Sequence, residues 1–199
     1  MAVLGELLFV RGMQGPSLDD ALRHHGGTFV HQLVDKLGPA EIAGMADDAL
    51  LEKVVAEVAI ESLALDLAAA KPSATEVQFE HVNAWRERVR VSGLRITKTI
   101  PFSGDPQLWQ LTPSTFDLNP PRGTIRGNAV VIGMDVPTEQ NQQAVDYINE
   151  TVSKIQTYIE RQKPQIDTFN ASLAAKVQPV LQARRQRLGA AADVLKKLS

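Results

Sequence analysis

Hydrophobic and polar positions divide the chain into three stretches with different periods. Over residues 1–59 the hydrophobic side chains recur every three or four positions, which is the spacing of one face of a helix. Ser17 suits the N-cap of a first helix, which the run His24-His25-Gly26-Gly27 would end. Gly38-Pro39 would end a second helix, and a third would begin near Ala46. We therefore expect a small helical subdomain over residues 1–59.

Near Ile60 the period changes from 3.6 to 2, which predicts that a sheet begins there. Leu63, Leu65 and Leu67 alternate with small or polar residues, as in a strand with one dry face. The stretch Lys71-Pro72-Ser73 predicts a turn or linker after this strand.

Further alternation continues the sheet. One run is centred on Val77 and Phe79, and a later run of arginines and aliphatic residues has a break at Ser92-Gly93. Gly127-Asn128 lies between two more alternating runs, at 124–126 and 129–134, and predicts a hairpin turn because both residues tolerate positive φ. We expect about five short antiparallel strands over residues 60–136.

Residues 101–121 contain five prolines, which disfavour both a helix and a regular strand. We expect a fixed, extended loop that lies over the sheet. Its aromatic residues Phe102, Trp109 and Phe116 are seven positions apart. The loop is either a lid on the dry face of the sheet or a presented binding surface, and the usual burial of large aromatic side chains favours the lid.

The strongest periodic signal lies in residues 137–199. Five aliphatic side chains follow the spacing of a coiled-coil seam: Val145, Ile148, Val152, Ile155 and Ile159. Pro164 and Pro179 interrupt the pattern, which predicts either a long kinked helix or an antiparallel helical pair. The seam has two alternative partners, the protein's own sheet and a second copy. We predict a homo-oligomer through these helices, with Trp109 contributing to the partner surface.

Composition narrows the classes of function. The chain has 199 residues and no cysteine, which excludes a disulfide scaffold, a Cys-zinc site and a thiol nucleophile. No stretch approaches the roughly 20 apolar residues that a membrane span needs, and the apolar first residues lack the basic region of a signal peptide. We expect a cytoplasmic protein that does not contact a membrane.

Charge is distributed unevenly along the chain. Residues 1–80 carry 13 acidic and 5 basic side chains, whereas residues 81–199 carry 10 acidic and 16 basic ones. This asymmetry favours electrostatic docking of one half on the other, and a separate surface for polyanions is the alternative.

Sequence motifs for catalysis or cofactor binding are absent. The chain contains no GxxxxGK[ST] or GxGxxG loop for phosphates and no GxSxG nucleophile elbow. His24, His25 and His31 do not share one helix face, so we interpret them as solvated or helix-ending residues and not as metal ligands. We therefore predict no cofactor, no metal and no catalytic residue in this chain.

One group of arginines is a candidate nucleic-acid surface. These side chains would lie on or beside the sheet, where they could contact phosphates: Arg86, Arg88, Arg90, Arg95, Arg122 and Arg126. The alternative is a solvated surface whose methylene stems cover apolar neighbours. Few aromatic residues lie among the arginines, so stacking of single-stranded bases has little support.

Several motifs carry a resemblance to other proteins. They are Ile100-Pro101-Phe102, Leu111-Thr112-Pro113-Ser114-Thr115-Phe116, Asn119-Pro120-Pro121-Arg122-Gly123, Phe169-Asn170-Ala171-Ser172-Leu173 and Ala183-Arg184-Arg185-Gln186-Arg187-Leu188. Over most of residues 60–199 they resemble a segment of longer, uncharacterised bacterial proteins, in which a helix, sheet and helix portion precedes a restriction-nuclease-like domain. The resemblance implies the recognition or assembly part of a nuclease-associated, antiviral-defence protein, cut off before its catalytic part. It assigns no catalytic residue here.

These observations predict an α+β fold with a helical subdomain at 1–59, a β subdomain at 60–136 and a long helical region at 137–199. We expect the chain to be a non-catalytic recognition and self-assembly module of a larger bacterial effector. A nucleic-acid-binding module that uses the arginines of the sheet is the alternative.

Overall fold

The computed structural model describes residues 1–10, 17–82 and 86–198. The fold is α+β, as the sequence predicts, with an antiparallel sheet and a long C-terminal helix. Contacts divide the chain into two compact units, which we call the sheet unit (Met1–Ser17 and Ser62–Lys163) and the helical unit (Leu18–Glu61 and Pro164–Ser199). Each unit combines separated parts of the chain, whereas the three predicted segments are consecutive.

The sheet contains seven antiparallel strands in the described residues, where about five were expected. They are β1 Ala2–Val3, β2 Glu6–Leu7, β3 Ala64–Leu65, β4 Lys71–Val82, β5 Arg88–Ser103, β6 Arg122–Arg126 and β7 Ala129–Val136. Their order is β2-β6-β7-β5-β3, with β1 paired to β7 and β4 paired to β5. The difference arises because β1 and β2 have only two residues each, too few to produce a recognisable alternation.

Two predicted breaks lie inside strands. The expected turn Lys71-Pro72-Ser73 is the start of β4, an edge strand, where proline is tolerated. The expected break Ser92-Gly93 lies inside β5, which runs without interruption for 16 residues. Gly93 is there because β7 comes close: a Cβ at this position would lie 2.3 Å from the carbonyl oxygen of Val136. The hairpin turn at Gly127-Asn128 is confirmed, and Gly127 has a φ of 56°.

The first residues and the leucine run also differ from the prediction. β1 and β2 attach the beginning of the chain to the sheet, and not to a helical subdomain. Only Ala64 and Leu65 of the leucine run form a strand, with Leu63 buried before it and Leu67 exposed after it. Alternation of leucine with small residues therefore overestimates the length of this strand.

The long C-terminal helix α5 is a single element, Asn141–Leu198, so the antiparallel pair is wrong. Within the sheet unit, Ala144 of α5 packs with Met134 and Val136 of β7. The buried face then follows a spacing near 3.6 residues and passes through Ile148, Val152, Ile155, Tyr158 and Gln162. This spacing is typical of an amphipathic helix that packs on the core of its own chain. At this turn the buried residue is Tyr158, whereas the predicted seam has Ile159.

The helical unit contains four short helices and the part of α5 from Pro164. They are α1 Leu18–His24, α2 Val30–Lys36, α3 Pro39–Gly44 and α4 Asp47–Val58. The breaks at Gly38-Pro39 and near Ala46 are confirmed. Pro164 and Pro179 lie at exposed positions of α5, where the carbonyls that lose a partner can reach water.

The predicted helix end at His24-His25-Gly26-Gly27 is wrong. A π-helical turn, His25–Phe29, continues the chain directly into α2. The His25 ring stacks on Phe29 at 4.7 Å, and its Nε2 lies 2.9 Å from the carbonyl oxygen of Val58. A Cβ at Gly26 would lie 2.9 Å from the ring of Phe169, so the close approach of α5 explains glycine here better than a helix end does.

Opposite charges meet inside the helical unit. Arg187 of α5 pairs with Asp35 at 3.1 Å, and Arg185 pairs with Asp47 and donates to the carbonyl of Met45 at 2.8 Å. The basic side chains near the end of α5 are thus partly neutralised by acidic residues of the early helices. These contacts favour the docking interpretation of the uneven charge.

Candidate interaction surface

The proline-rich stretch lies over an aromatic cluster in the sheet unit. Phe102 and Trp109 are buried and meet edge to face at 5.2 Å, and Trp109 also contacts Phe9, which stacks on Tyr158 of α5 at 5.0 Å. The burial of these two aromatic residues agrees with the lid interpretation and not with a presented surface, and Phe102 itself lies in β5. Phe116, the third, is 57% exposed and does not belong to the cluster.

The stretch is more regular than an extended loop. Its beginning, through Ser103, belongs to β5, and a 3-10 helix covers Pro106–Gln110. Asp105 caps this helix by accepting a hydrogen bond from the backbone N–H of Gln107 at 2.8 Å. Pro106 at the first helical position favours the helix, because its missing N–H would have had no partner there. The expectation that proline excludes helix here is therefore wrong.

Gln162 fastens the lid to α5. Its side chain is buried, and Nε2 donates to the carbonyl oxygens of Leu108 and Leu111 at 3.0 and 2.8 Å. These carbonyls lie at the end of the 3-10 helix, where the carbonyl oxygen of Leu108 also accepts from the backbone N–H of Leu111 at 3.2 Å. A polar residue inside the hydrophobic face of α5 thus fixes the start of the segment that follows.

Three contacts from α5 hold Asp117, and we call them the Asp117 clamp. The hydroxyl of Tyr158 accepts a hydrogen bond from the backbone N–H of Asp117 at 3.0 Å and lies 3.1 Å from its carbonyl oxygen, to which it donates. Arg161 pairs with the Asp117 carboxylate at 3.0 Å and lies over the Tyr158 ring at 5.6 Å. The clamp fixes the backbone between two exposed apolar residues, Phe116 and Leu118.

Apolar side chains around the clamp are exposed together. Leu118 is 99% exposed, and Phe116, Leu7 and Val10 are also exposed. They line an open groove of about 710 Å3 with two prolines. We call this region the loop surface and define it by Leu7, Val10, Pro113, Phe116, Leu118 and Pro120. Clustered exposure of large apolar side chains is typical of binding surfaces, whereas a single exposed leucine is common.

The predicted self-association residues are mostly inside the protein. Four of them are at most 7% exposed in the single chain: Ile148, Val152, Ile155 and Trp109. Val145 is exposed and Ile159 is partly exposed. The predicted seam therefore packs within the sheet unit. Self-association through these helices stays a prediction, and of the predicted residues on α5 only Val145 and Ile159 are accessible to a second copy without rearrangement.

The predicted arginine surface is divided between the two faces of the sheet. β5 has an uninterrupted register, so Arg90 and Arg95, five positions apart, point to opposite faces. Arg122 and Arg126 are exposed and share one face of β6. Arg86 is exposed just before β5, and the side chain of Arg88 lies outside the described part of the chain.

Arg95 is engaged by an acidic partner. Its Nε and Nη2 donate to the two carboxylate oxygens of Asp135, both at 2.8 Å, and the Asp135 side chain is buried. This bidentate hydrogen bond raises the pKa of Arg95 above its usual range, with the charge of Asp135 as the second cause. Arg95 thus compensates a buried carboxylate, which makes it a poor candidate for phosphate binding.

In the helical unit, the ion pair between Lys53 and Glu41 shifts the pKa of both groups. Lys53 donates to the Glu41 carboxylate, and this hydrogen bond lowers the pKa of Glu41 and raises the pKa of Lys53. Lys53 is exposed and Glu41 is partly exposed, so the contact that favours their charged forms lies at the surface of the unit. Across the described ranges, no group of three or more His, Asp or Glu side chains is arranged to hold a metal ion.

Sequence reasoning missed the central residue of the loop surface. Leu118 was not singled out, although it is a large apolar residue between Asp117 and Asn119-Pro120, where a surface loop usually has polar residues. Leu7 and Val10 were also missed, because nothing in the local pattern connects them with a segment about a hundred residues later.

The chain matches no protein-family model, no curated protein and no solved structure. In the part of the chain that the structure describes, none of the helices has the length and apolar character needed to cross a membrane.

Proposed function

We propose that this chain is a non-catalytic recognition and self-assembly module of a larger bacterial effector. The observation that carries the proposal is the loop surface, where exposed apolar side chains surround a backbone segment fixed by α5. Exposed apolar patches on a polar protein are typical of partner-binding sites. The resemblance to segments that precede a restriction-nuclease-like domain supports the effector context.

The fixed backbone at Asp117 favours a binding role for the exposed apolar side chains beside it. A loop that is ordered before association loses less conformational entropy when a partner docks, so more of the contact energy appears as affinity. The Asp117 clamp uses both backbone groups and the carboxylate of one residue. The side chains of Phe116 and Leu118 are therefore presented from a backbone that is already ordered.

Sedimentation velocity of the purified chain tests the self-assembly part of the proposal. We expect the average sedimentation coefficient to rise between about 10 and about 500 µM, because a small apolar patch supports weak, reversible association. A concentration-independent monomer over the whole range would remove self-assembly from the proposed function.

One observation favours nucleic-acid binding as a second candidate. Arg122 and Arg126 are exposed on one face of β6, and neither forms an ion pair with any described residue. Two phosphate contacts would give an affinity for duplex DNA that falls with salt, with a logarithmic slope of about −2.

Fluorescence anisotropy with a labelled duplex distinguishes this candidate. Replacement of both arginines by alanine should weaken binding and flatten the salt dependence. Arg187→Ala is the matched control, because Arg187 is similarly exposed but already paired with Asp35. Absence of binding at low salt would rule the candidate out.

A further inference from the structure

One face of the sheet carries hydroxyl and basic side chains. The registers from β4 through β5 and β7 to β6 are uninterrupted, so alternate residues of these strands lie on the same side. Ile100 and Val130 mark the buried side. On the other side, one row crosses all four strands through Lys71, Thr99, Val131 and Thr124.

We call this other side the hydroxyl face and define it by six residues: Lys71, Thr97, Thr99, Arg122, Thr124 and Arg126. Its three basic side chains are exposed, and its three threonines are partly exposed. Within the described part of the chain, the threonine hydroxyls have no hydrogen-bond partner and Lys71 has no ion-pair partner. These groups are therefore available to a ligand.

The charge of the hydroxyl face is positive. At the described strand positions on this side of β4, β5, β6 and β7, Asp135 is the single acidic residue. Both of its carboxylate oxygens accept from Arg95 at 2.8 Å, so its charge is compensated. Lys71, Arg122 and Arg126 then leave an excess of positive charge. Positive charge beside available hydroxyl donors is complementary to phosphate oxygens and not to an apolar surface.

The polar groups of the face lie on two lines. Arg122 and Arg126 flank Thr124 on β6, whereas Lys71 and Thr99 face each other across β4 and β5. The lines are two to three strand spacings apart, about 10–14 Å, with uncharged residues of β7 between them. A DNA duplex presents two lines of phosphates on either side of a groove, and its major groove is about 12 Å wide. A single strand or an acidic peptide presents one line of charge, so the spacing favours a duplex.

Unpaired bases would need an exposed aromatic ring to stack on. Phe79 is on the same side of β4, but its side chain is buried, and a Cβ at Gly93 would lie 2.8 Å from its ring. The hydroxyl face itself contains no aromatic residue. The paired form of a nucleic acid is therefore the better fit.

We propose that the hydroxyl face binds the sugar–phosphate backbone of a DNA duplex, with Lys71 on one line of phosphates and Arg122 and Arg126 on the other. Thr99 and Thr124 donate to phosphate oxygens beside these basic residues. Contacts to phosphates alone carry no sequence information, so binding is independent of sequence. This inference rests on the nucleic-acid candidate above, which uses two arginines, and extends it to a face built by four strands.

The salt dependence of duplex binding tests the contribution of Lys71. In fluorescence anisotropy with a labelled DNA duplex, three phosphate contacts predict a logarithmic slope of about −2.7, against about −1.8 for the two arginines alone. Lys71→Ala should reduce the slope by about 1. Lys154→Ala is the matched control, because it removes the same charge from a lysine of the sheet unit that is already paired with Glu150 at 2.7 Å. The control should keep the slope of the wild type.

Replacement of the threonines tests the hydroxyl contacts. Thr99→Val and Thr124→Val keep the shape and the strand preference of the side chain. Each should weaken duplex binding about 2–10-fold, since one hydrogen bond to a phosphate is lost. The salt slope should stay the same, because a neutral hydroxyl releases no counterion from the DNA. A loss of fold would be seen by circular dichroism, and Thr99→Ser and Thr124→Ser, which keep the hydroxyl, should then restore binding.

The possible outcomes separate this inference from the two-arginine candidate. A slope near −2.7 that falls in Lys71→Ala but not in Lys154→Ala, with weaker binding by both valine variants, supports the inference. A slope that Lys71→Ala leaves unchanged, or valine variants that bind like the wild type, overturns the face and keeps the two arginines. Absence of binding at low salt overturns both. A single strand that binds as tightly as the duplex, or polyglutamate that displaces the duplex as well as unlabelled DNA does, overturns the duplex as the ligand.

Discussion

Tyr158→Phe separates the role of the Asp117 clamp from that of the aromatic cluster. The substitution removes the hydroxyl, which accepts from the backbone N–H of Asp117 and donates to its carbonyl at 3.0 and 3.1 Å. It keeps the ring that stacks on Phe9 at 5.0 Å. The buried core should therefore remain intact, while the segment between Phe116 and Leu118 loses its attachment to α5.

The expected loss of local stability follows from these two hydrogen bonds. Each contributes about 0.5–1.5 kcal/mol, and the upper end applies when the partner is left unsatisfied away from water. The contacts are only partly buried, so water can replace part of the loss, and we expect a local destabilisation of about 1–2 kcal/mol. Opening of the Asp117 segment should become about 5–30-fold more frequent.

Native-state amide hydrogen exchange measures this opening at one residue. Exchange at Asp117 should accelerate by that factor in Tyr158→Phe, whereas amides in the centre of β5 and β7 should exchange as in the wild type. Tyr147→Phe is the matched control, because Tyr147 is a partly buried residue of α5 whose hydroxyl forms no hydrogen bond with a described residue. Unchanged exchange at Asp117 in Tyr158→Phe would refute the reasoning that the clamp orders the loop surface.

Three further substitutions test the surrounding structure. Gly93→Ala should lower the free energy of unfolding by about 1–3 kcal/mol in urea denaturation, since a Cβ there would collide with the backbone of β7, and an unchanged value would contradict that. Arg95→Ala should lower it by about 2–3 kcal/mol, less than for a fully buried pair, because the buried Asp135 loses a half-exposed partner; no change would mean that water replaces the guanidinium. Glu41→Gln should be slightly less stable than the wild type at neutral pH only. Because the pKa of Glu41 is lowered in the folded state, its contribution is present above the usual Glu pKa and is lost as pH falls through the folded pKa. A difference that persists at acid pH would contradict the ion pair with Lys53 as its source.

Long periodic elements could be predicted from the sequence because their pattern is local. The change of period near Ile60, the hairpin at Gly127-Asn128 and the helix stop at Gly38-Pro39 all depend on residues within one turn or strand. These features lead to the α+β class, and the apolar periodicity of residues 137–199 leads to the long C-terminal helix.

Errors occurred where distant contacts override a local preference. Gly93 is typical of a break, but its absent side chain makes room for the backbone of β7. Pro72 is typical of a turn, but an edge strand accepts it. Gly26 is typical of a helix end, but it lies against Phe169 of α5. In each case the deciding neighbour is at least 26 residues away in the chain.

The candidate site was harder to predict than the fold. The loop surface combines Leu7 and Val10 with Phe116 and Leu118, and only the folded sheet brings these segments together. The periodic seam of α5 predicts a binding surface because its pattern is strong, yet a helix that packs on its own core has the same strong apolar pattern. In the sequence, the exposed surface is indicated only by a weak signal, namely a leucine in a polar and proline-rich loop.

Backbone amide chemical shifts, recorded by two-dimensional NMR as the protein is concentrated from about 20 to about 500 µM, test most directly whether the loop surface is the binding site. We predict shift changes that depend on concentration and cluster at residues 112–119 and around Leu7, with none along the buried face of α5. Changes confined to β6 around Arg122 and Arg126, or no change at any concentration, would contradict the assignment of recognition and self-assembly to this surface.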